Sequence, residues 1–162
     1  MRPDDTCELR PIGCVRSRLT DRKDAPRQGY RGAPAATVEV EPAFADAVEG
    51  IEAGSDVFLL TWLHLADRGV LRVHPETDPA NPITGVFATR SPDRPNPIGL
   101  HRVRLLEMEG PTRLRVEPLE AVDGTPVVDI KPVLSTDRRS LPPRSHGDGS
   151  GIPGGGERRR AP

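Results

Sequence analysis

The sequence predicts a mainly β protein, built as a small antiparallel barrel with one short helix. Three observations predict it. Nineteen prolines and sixteen glycines, with only 3% aromatic residues, argue against a helical bundle in a chain of 162 residues. Apolar residues come in short runs separated by Gly, Pro, Asn and Asp turn signals. No strand–helix–strand rhythm is present, so a parallel sheet with crossover helices is not expected. The length suits one domain with a real core. We place a loose lead at residues 1–9, the barrel at 10–138 and a disordered basic tail at 139–162.

Pro11–Ser17 alternates well enough for a first strand. Leu19–Ala36 mixes charge, Gly and Pro without periodicity and reads as loop. Thr37–Val40 is a second strand. Pro42–Gly50 is the best short helix: a proline opens it, Phe44, Ala47 and Val48 share one face, and Gly50 ends it. Asp56–Leu65 is the most apolar run and predicts a strand buried on both faces, with a buried helix as the competitor. Gly69–Val73, Thr84–Ala88, Ile98–Glu109, Arg113–Glu117 and Val127–Lys131 complete the strands. Asp123-Gly124-Thr125-Pro126 is a turn. Residues 139–162 hold almost no apolar side chains and cannot bury enough surface to fold alone. The Arg158–Arg160 triplet reads as solvated tail before it reads as an RNA contact.

Composition excludes several functions. No apolar run approaches the ~20 residues of a membrane span, and Met1–Asp5 is polar and acidic, so a cytoplasmic protein is expected. Cys7 and Cys14 read as reduced thiols and have no activating neighbour that would make them nucleophiles. No Cys/His group has zinc spacing, so no metal is expected. Neither a dinucleotide glycine fingerprint after a strand, nor a Walker loop, nor a nucleophile elbow is present. The formal net charge of −1 does not advertise a nucleic-acid binder. Locally, however, Arg90, Arg94, Arg102 and Arg104 face only Asp93 within Gly85–Arg104.

The chemistry is expected around Gly85–Gly99, GVFATRSPDRPNPIG. Its prolines forbid helix and push Ser91, Arg94 and Asn96 toward extended geometry. A stiff loop with Arg90, Arg94 and Asn96 in set directions suits carboxylate, phosphate or base recognition. It suits a proline-stiffened surface loop with solvated arginines equally well. Pro26-Arg27-Gln28, His64, and Asp123/Thr125/Asp129/Lys131 form further polar clusters. His64 alone reads more readily as a core histidine than as a catalyst. Asp129 and Lys131, at i, i+2 on one strand face, suit a structural ion pair as well as a site.

The stretch Gly85–Leu100, GVFATRSPDRPNPIGL, resembles the signature of the TrmO family, also called TsaA-like or YaeB-like. Pro11-Ile12-Gly13, Pro26-Arg27-Gln28, the apolar run ending in Trp62-Leu63-His64, and DGTPVVDIKP (Asp123–Pro132) resemble the family in the same order. The resemblance implies a non-Rossmann β-barrel methyltransferase using S-adenosylmethionine. It implies a homodimer with the cofactor near the subunit interface. The family reaction methylates N6 of N6-threonylcarbamoyladenosine beside the anticodon of tRNA. Carried over by position, Pro26, Arg27, Gln28, His64, Arg90, Asn96, Asp123 and Thr125 would hold the cofactor. Arg94 and Lys131 would face the substrate carboxylate or phosphate. His64, Asp129 and Arg94 are the catalytic candidates, with His64 or Asp129 accepting the N–H proton. His101 stands where many members have Ser, and Val133 where Tyr is usual. The chain also ends without the C-terminal domain of longer members. These departures leave two alternatives: the same chemistry on a small molecule or another nucleoside, and a non-catalytic nucleotide-binding regulator.

Overall fold

The structure is a computed structural model and describes residues 8–134. The tail expected at 139–162, and Cys7, lie outside the described residues. Among the described residues are eight strands: β1 (Gly13–Arg16), β2 (Ala36–Val40), β3 (Asp56–Trp62), β4 (Arg72–Val73), β5 (Thr84–Gly85), β6 (Ile98–Met108), β7 (Arg113–Glu117) and β8 (Pro126–Pro132). Six of them close a barrel in the order β1-β2-β7-β6-β3-β8, while β4 and β5 form a separate two-stranded ribbon. All the pairings are antiparallel. The expected barrel is therefore the observed one.

Alternation builds the core. Val15, Val38, Leu59, Leu105, Leu114, Val116, Leu119 and Val127 are fully enclosed. They are aliphatic, so a barrel with almost no aromatics fills its small interior with compact branched side chains. Each such side chain, fully buried, contributes roughly 1.5–3 kcal/mol.

Several expectations change in detail. The apolar run is one strand, but only its alternate residues Val57, Leu59 and Thr61 are buried. Phe58, Leu60 and Trp62 point outward, opposite Arg102, Leu100 and Ile98 of β6. Burial on both faces is thus corrected to burial on one, because β3 lies in a single-layer barrel wall. The strand also stops at Trp62, where Leu63 N–H turns to donate to Pro97 O at 2.8 Å. The expected helix is a 3-10 helix over Pro42–Val48, broken at Phe44 (φ −113°), whose ring packs on the core beneath Arg10. The strand expected at Gly69–Val73 shortens to Arg72–Val73. That at Thr84–Ala88 shortens to two residues before a 3-10 turn over Val86–Ala88. A ribbon so short has little ladder to carry it further.

Candidate cofactor site

The proline-rich loop is braced by more than its prolines. Arg94 is half-buried and turns back on its own loop. Its Nε donates to Ser91 O at 2.8 Å, and its Nη2 donates to Thr89 O at 2.7 Å and to Val86 O at 3.1 Å. Asp93 accepts from the Asp67 N–H at 2.8 Å and from the Arg22 guanidinium. Burial pushes the Asp93 carboxyl up, but those donors outweigh it and hold it below the ordinary range. Arg22 also donates to Leu65 O at 3.2 Å. Arg68 donates to Pro95 O at 2.9 Å while lying over the Trp62 ring. Two arginines thus pin the loop to the turn that follows β3. What remains directed outward is Arg90, exposed and with no hydrogen-bond or ion-pair partner among the described residues, and the exposed side chain of Asn96.

Arg90 stands at the rim of a cavity of about 380 Å³. The other walls are Gln28-Gly29-Tyr30, the β6 stretch Leu100–Arg104, and Glu117, Pro118 and Glu120. Strand register explains the opening. β7 pairs with β6 only from Arg104 onward, whereas β3 pairs with β6 from Ile98. The first half of β6 therefore has no ladder neighbour on its β7 side. The chain fills that side loosely with the 3-10 turn Gly29–Arg31 and with the segment following β7.

The cavity has a polar floor. His101 occupies an inward position of β6 and is only 5% exposed. Its Nε2 lies 2.8 Å from Thr61 Oγ1, and its Nδ1 lies 2.9 Å from Glu120 Oε1. Glycines make room for this cluster. A Cβ at Gly99 would sit 2.3 Å from Thr61 Oγ1 and 2.5 Å from His101 Nε2, and one at Gly29 would sit 3.0 Å from Glu120 Oε2. At the outer wall Asp56 accepts from Arg102 at 2.9 Å and from Arg104 at 3.0 Å. Arg102 first, then Arg104, hold the Asp56 carboxyl below its ordinary value against a small opposing effect of burial.

Of the residues singled out in the sequence, the cavity brings together Gln28 and Arg90. Pro26 and Arg27 precede Gln28 in the same loop, where Arg27 donates to Glu76 O. His64 lies in the exposed turn after β3, on the side to which the loop is pinned. Asp123 accepts from the Ser17 N–H at 3.0 Å, and the enclosed Thr125 hydroxyl donates to Val122 O at 2.7 Å. Both hold the turn that enters β8. Asp129 Oδ2 and Lys131 Nζ pair at 2.7 Å, and Asp129 Oδ1 also accepts from the Ile130 N–H at 2.9 Å. The couple thus forms an ion pair on the strand face.

Sequence reasoning missed Gly29, Tyr30 and Glu120, and named His101 only as a departure from the family pattern. A signal existed for His101: in an alternating strand it falls in phase with Gly99, Val103 and Leu105, and so points inward. Nothing local marks Glu120. A second cavity of about 390 Å³, lined by Ala45, Val48, Ile51 and Met108 among others, contains none of the residues singled out. Among the described residues no cluster of metal-ligating side chains is present.

Comparison with known proteins adds a family. The N-terminal domain of tRNA-methyltransferase O matches residues 14–137. A protein of Methanothermobacter thermautotrophicus, described as a probable S-adenosyl-L-methionine-binding protein, is 48% identical over 129 residues, covering 80% of this chain and 91% of its own. An S-adenosyl-L-methionine-binding protein of Archaeoglobus fulgidus is 44% identical over 123 residues, covering 76% and 86%. A crystal structure of TrmO superposes with a TM-score of 0.69 at 37% identity, covering 87% of this chain. The present chain spans 64% of that protein's length.

Proposed function

The chain belongs to the tRNA-methyltransferase O family, a family of S-adenosylmethionine-dependent methyltransferases, and from that premise we propose that it methylates N6 of N6-threonylcarbamoyladenosine next to the anticodon of tRNA. The observation that carries this reading is the convergence of Gln28 and Arg90, from two separate signature segments, on one cavity.

The cavity fits the cofactor by chemistry and size. Its volume falls in the range of small-molecule sites, roughly 300–1,000 Å³. Arg90 offers an uncommitted guanidinium, suited to the methionyl carboxylate in bidentate fashion. Glu120 offers a partly buried carboxylate without an Arg or Lys partner among the described residues, on the side where a positive charge would be welcome. The cofactor brings an electrophilic methyl group on a sulfonium. Gln28 and Arg90 would hold it in place and set donor and acceptor in line, which alone supplies several kcal/mol. The acceptor N–H must lose its proton. Asp129 is tied to Lys131, which leaves His64 as the acceptor we favour. Asn96 would assist at the mouth. Arg94 acts by holding the loop, and Lys131 is engaged by Asp129.

We also propose a homodimer. Ile98 and Leu100 are 43% and 52% exposed at the start of β6, beside the outward Phe58, Leu60 and Trp62, and Phe87 is 80% exposed nearby in sequence. An apolar outer face of this kind suits a second copy. Sedimentation of the full chain tests it, and a monomer at micromolar concentration removes it. No helix among the described residues is long and apolar enough to cross a membrane.

Two measurements test the main reading. Calorimetry should show S-adenosylmethionine binding, and its absence at millimolar cofactor would remove the enzyme in favour of a regulator. Nucleoside mass spectrometry of tRNA from a deletion strain should show loss of the methylated threonylcarbamoyl nucleoside. An unchanged signal would move the activity to a small molecule or another nucleoside.

A further inference from the structure

Burying a histidine in the wall of an aliphatic barrel costs free energy unless its nitrogens are satisfied. The other inward side chains of β6 after Gly99 include Val103 and Leu105, fully enclosed among aliphatic neighbours. His101 departs from that pattern at the point where the wall opens onto the cavity. Its Nδ1 is the one buried side-chain nitrogen or oxygen among the described residues that makes no hydrogen bond. Yet Glu120 Oε1 lies only 2.9 Å away. The distance is within hydrogen-bond range, yet no hydrogen bond is made, so the two groups meet as close neighbours. On the other side, Nε2 and the Thr61 hydroxyl are 2.8 Å apart. A neutral imidazole carries one proton, so a hydroxyl donating to Nε2 places the ring proton on Nδ1, toward Glu120.

We propose that His101 is a positioning residue. Fixed by Thr61, it holds the Glu120 carboxylate at the cavity floor to receive the positively charged part of the cofactor. The inference rests on the cofactor reading given above and adds to it the residue that aims the carboxylate. The second oxygen of Glu120 faces the backbone of Gly29, where any larger residue would crowd it. The carboxylate is thus confined between a histidine and a glycine, and its reach into the cavity depends on both. Arg102 and Arg104 do not compete for it, because both are engaged by Asp56.

The test is calorimetric and needs no turnover. Asn at position 101 keeps an N–H donor near the Nδ1 site, whereas Gln reaches toward the Nε2 site. His101→Asn should bind S-adenosylmethionine within about twofold of the wild type, and His101→Gln roughly tenfold more weakly, the loss of the polar group that stands beside the Glu120 carboxylate. In a Glu120→Gln background the same His101→Gln change should add no further loss. Thermal melts of each variant separate folding from binding. Equal affinity in both His101 variants, or a full tenfold loss persisting without the Glu120 carboxylate, overturns the proposal. Should the variants fail to fold, nitrogen NMR of the wild-type histidine still decides. A proton on Nδ1 supports it, and a neutral ring protonated on Nε2 alone overturns it. A wild type that binds no cofactor overturns the cofactor reading itself, and this inference with it.

Discussion

Removing the Arg94 guanidinium tests whether the proline-rich loop is held by its own arginine. Arg94→Ala deletes three charge-assisted hydrogen bonds. Ser91 O and Thr89 O lose their partner altogether, while Val86 O keeps the Thr89 N–H at 3.1 Å and the Thr89 hydroxyl at 2.9 Å. Two bonds are therefore at stake in full and one in part. A hydrogen bond to a charged group nets about 1.5–3 kcal/mol when buried, and this side chain is half-buried, so we expect a loss of about 2–4 kcal/mol. For a domain of this size that is a fall in Tm of roughly 6–12 °C. Cofactor affinity should fall as well, because Arg90 rides on the same loop. Arg94→Lys should recover little, since one ammonium cannot span carbonyls that the planar fork reaches together. The assay is a thermal melt paired with hydrogen exchange over residues 86–97 and calorimetric titration of cofactor. An Arg94→Ala protein with unchanged Tm and unchanged exchange, but no turnover, would refute the brace and return Arg94 to direct substrate contact.

Arg90→Ala should do the reverse, weakening S-adenosylmethionine binding roughly tenfold or more with Tm within about 1 °C, because the side chain has no partner to lose among the described residues; a matched loss of stability would count against its assignment to the cofactor. Gly99→Ala should destabilise by about 2–4 kcal/mol in urea, since its Cβ meets Thr61 Oγ1 at 2.3 Å and His101 Nε2 at 2.5 Å; an unchanged midpoint would mean the floor repacks freely. Asp56→Asn tests pH dependence. The folded-state pKa of Asp56 is depressed below its ordinary 3.8, so its stabilising contribution is present above that value and lost as pH falls through the folded-state pKa. Wild type and Asp56→Asn should therefore differ most near neutrality and converge as pH falls below the ordinary carboxylate value and through the depressed folded-state one; a gap that stays constant into acid would sink the assignment.

What the sequence made legible follows from which interactions are local. Alternation around Val103, Leu105, Leu114 and Val116 announced strands, and turn chemistry at Asp123-Gly124 announced the entry to β8, because both act within a few residues. The stiffness of Gly85–Gly99 was legible through its prolines, but the role of Arg94 was not. A long side chain that folds back on carbonyls three, five and eight residues earlier looks in sequence like one that reaches out. The burial of β3 was misjudged for a related reason. Seven apolar-rich residues in a row describe a strand, yet whether its second face is covered depends on a partner the strand does not encode. Glu120 became visible only when β7 failed to follow β6 past Arg104, a fact of register that no window of sequence contains.

That register also explains how a barrel without a glycine-rich phosphate loop can offer a nucleotide cofactor a backbone surface. In doubly wound folds the recognising N–H groups come from a helix terminus. On the cofactor reading proposed above, β6 would supply an edge instead. From Ile98 to Arg104 its ladder to β3 is complete, so alternate residues direct their N–H and C=O groups away from β3, toward the cavity. An open edge inside a barrel wall is ordinarily a liability, because unpaired backbone invites another strand. Placing Gln28, Gly29 and Tyr30 across it, with Arg90 at the rim, covers the edge without pairing it. Closing the edge by extending β7 would protect the backbone and eliminate the cavity together. On the cofactor reading proposed above, the early departure of β7 opens the site, and the prolines of residues 92–97 stiffen the loop that brings Arg90 to that opening.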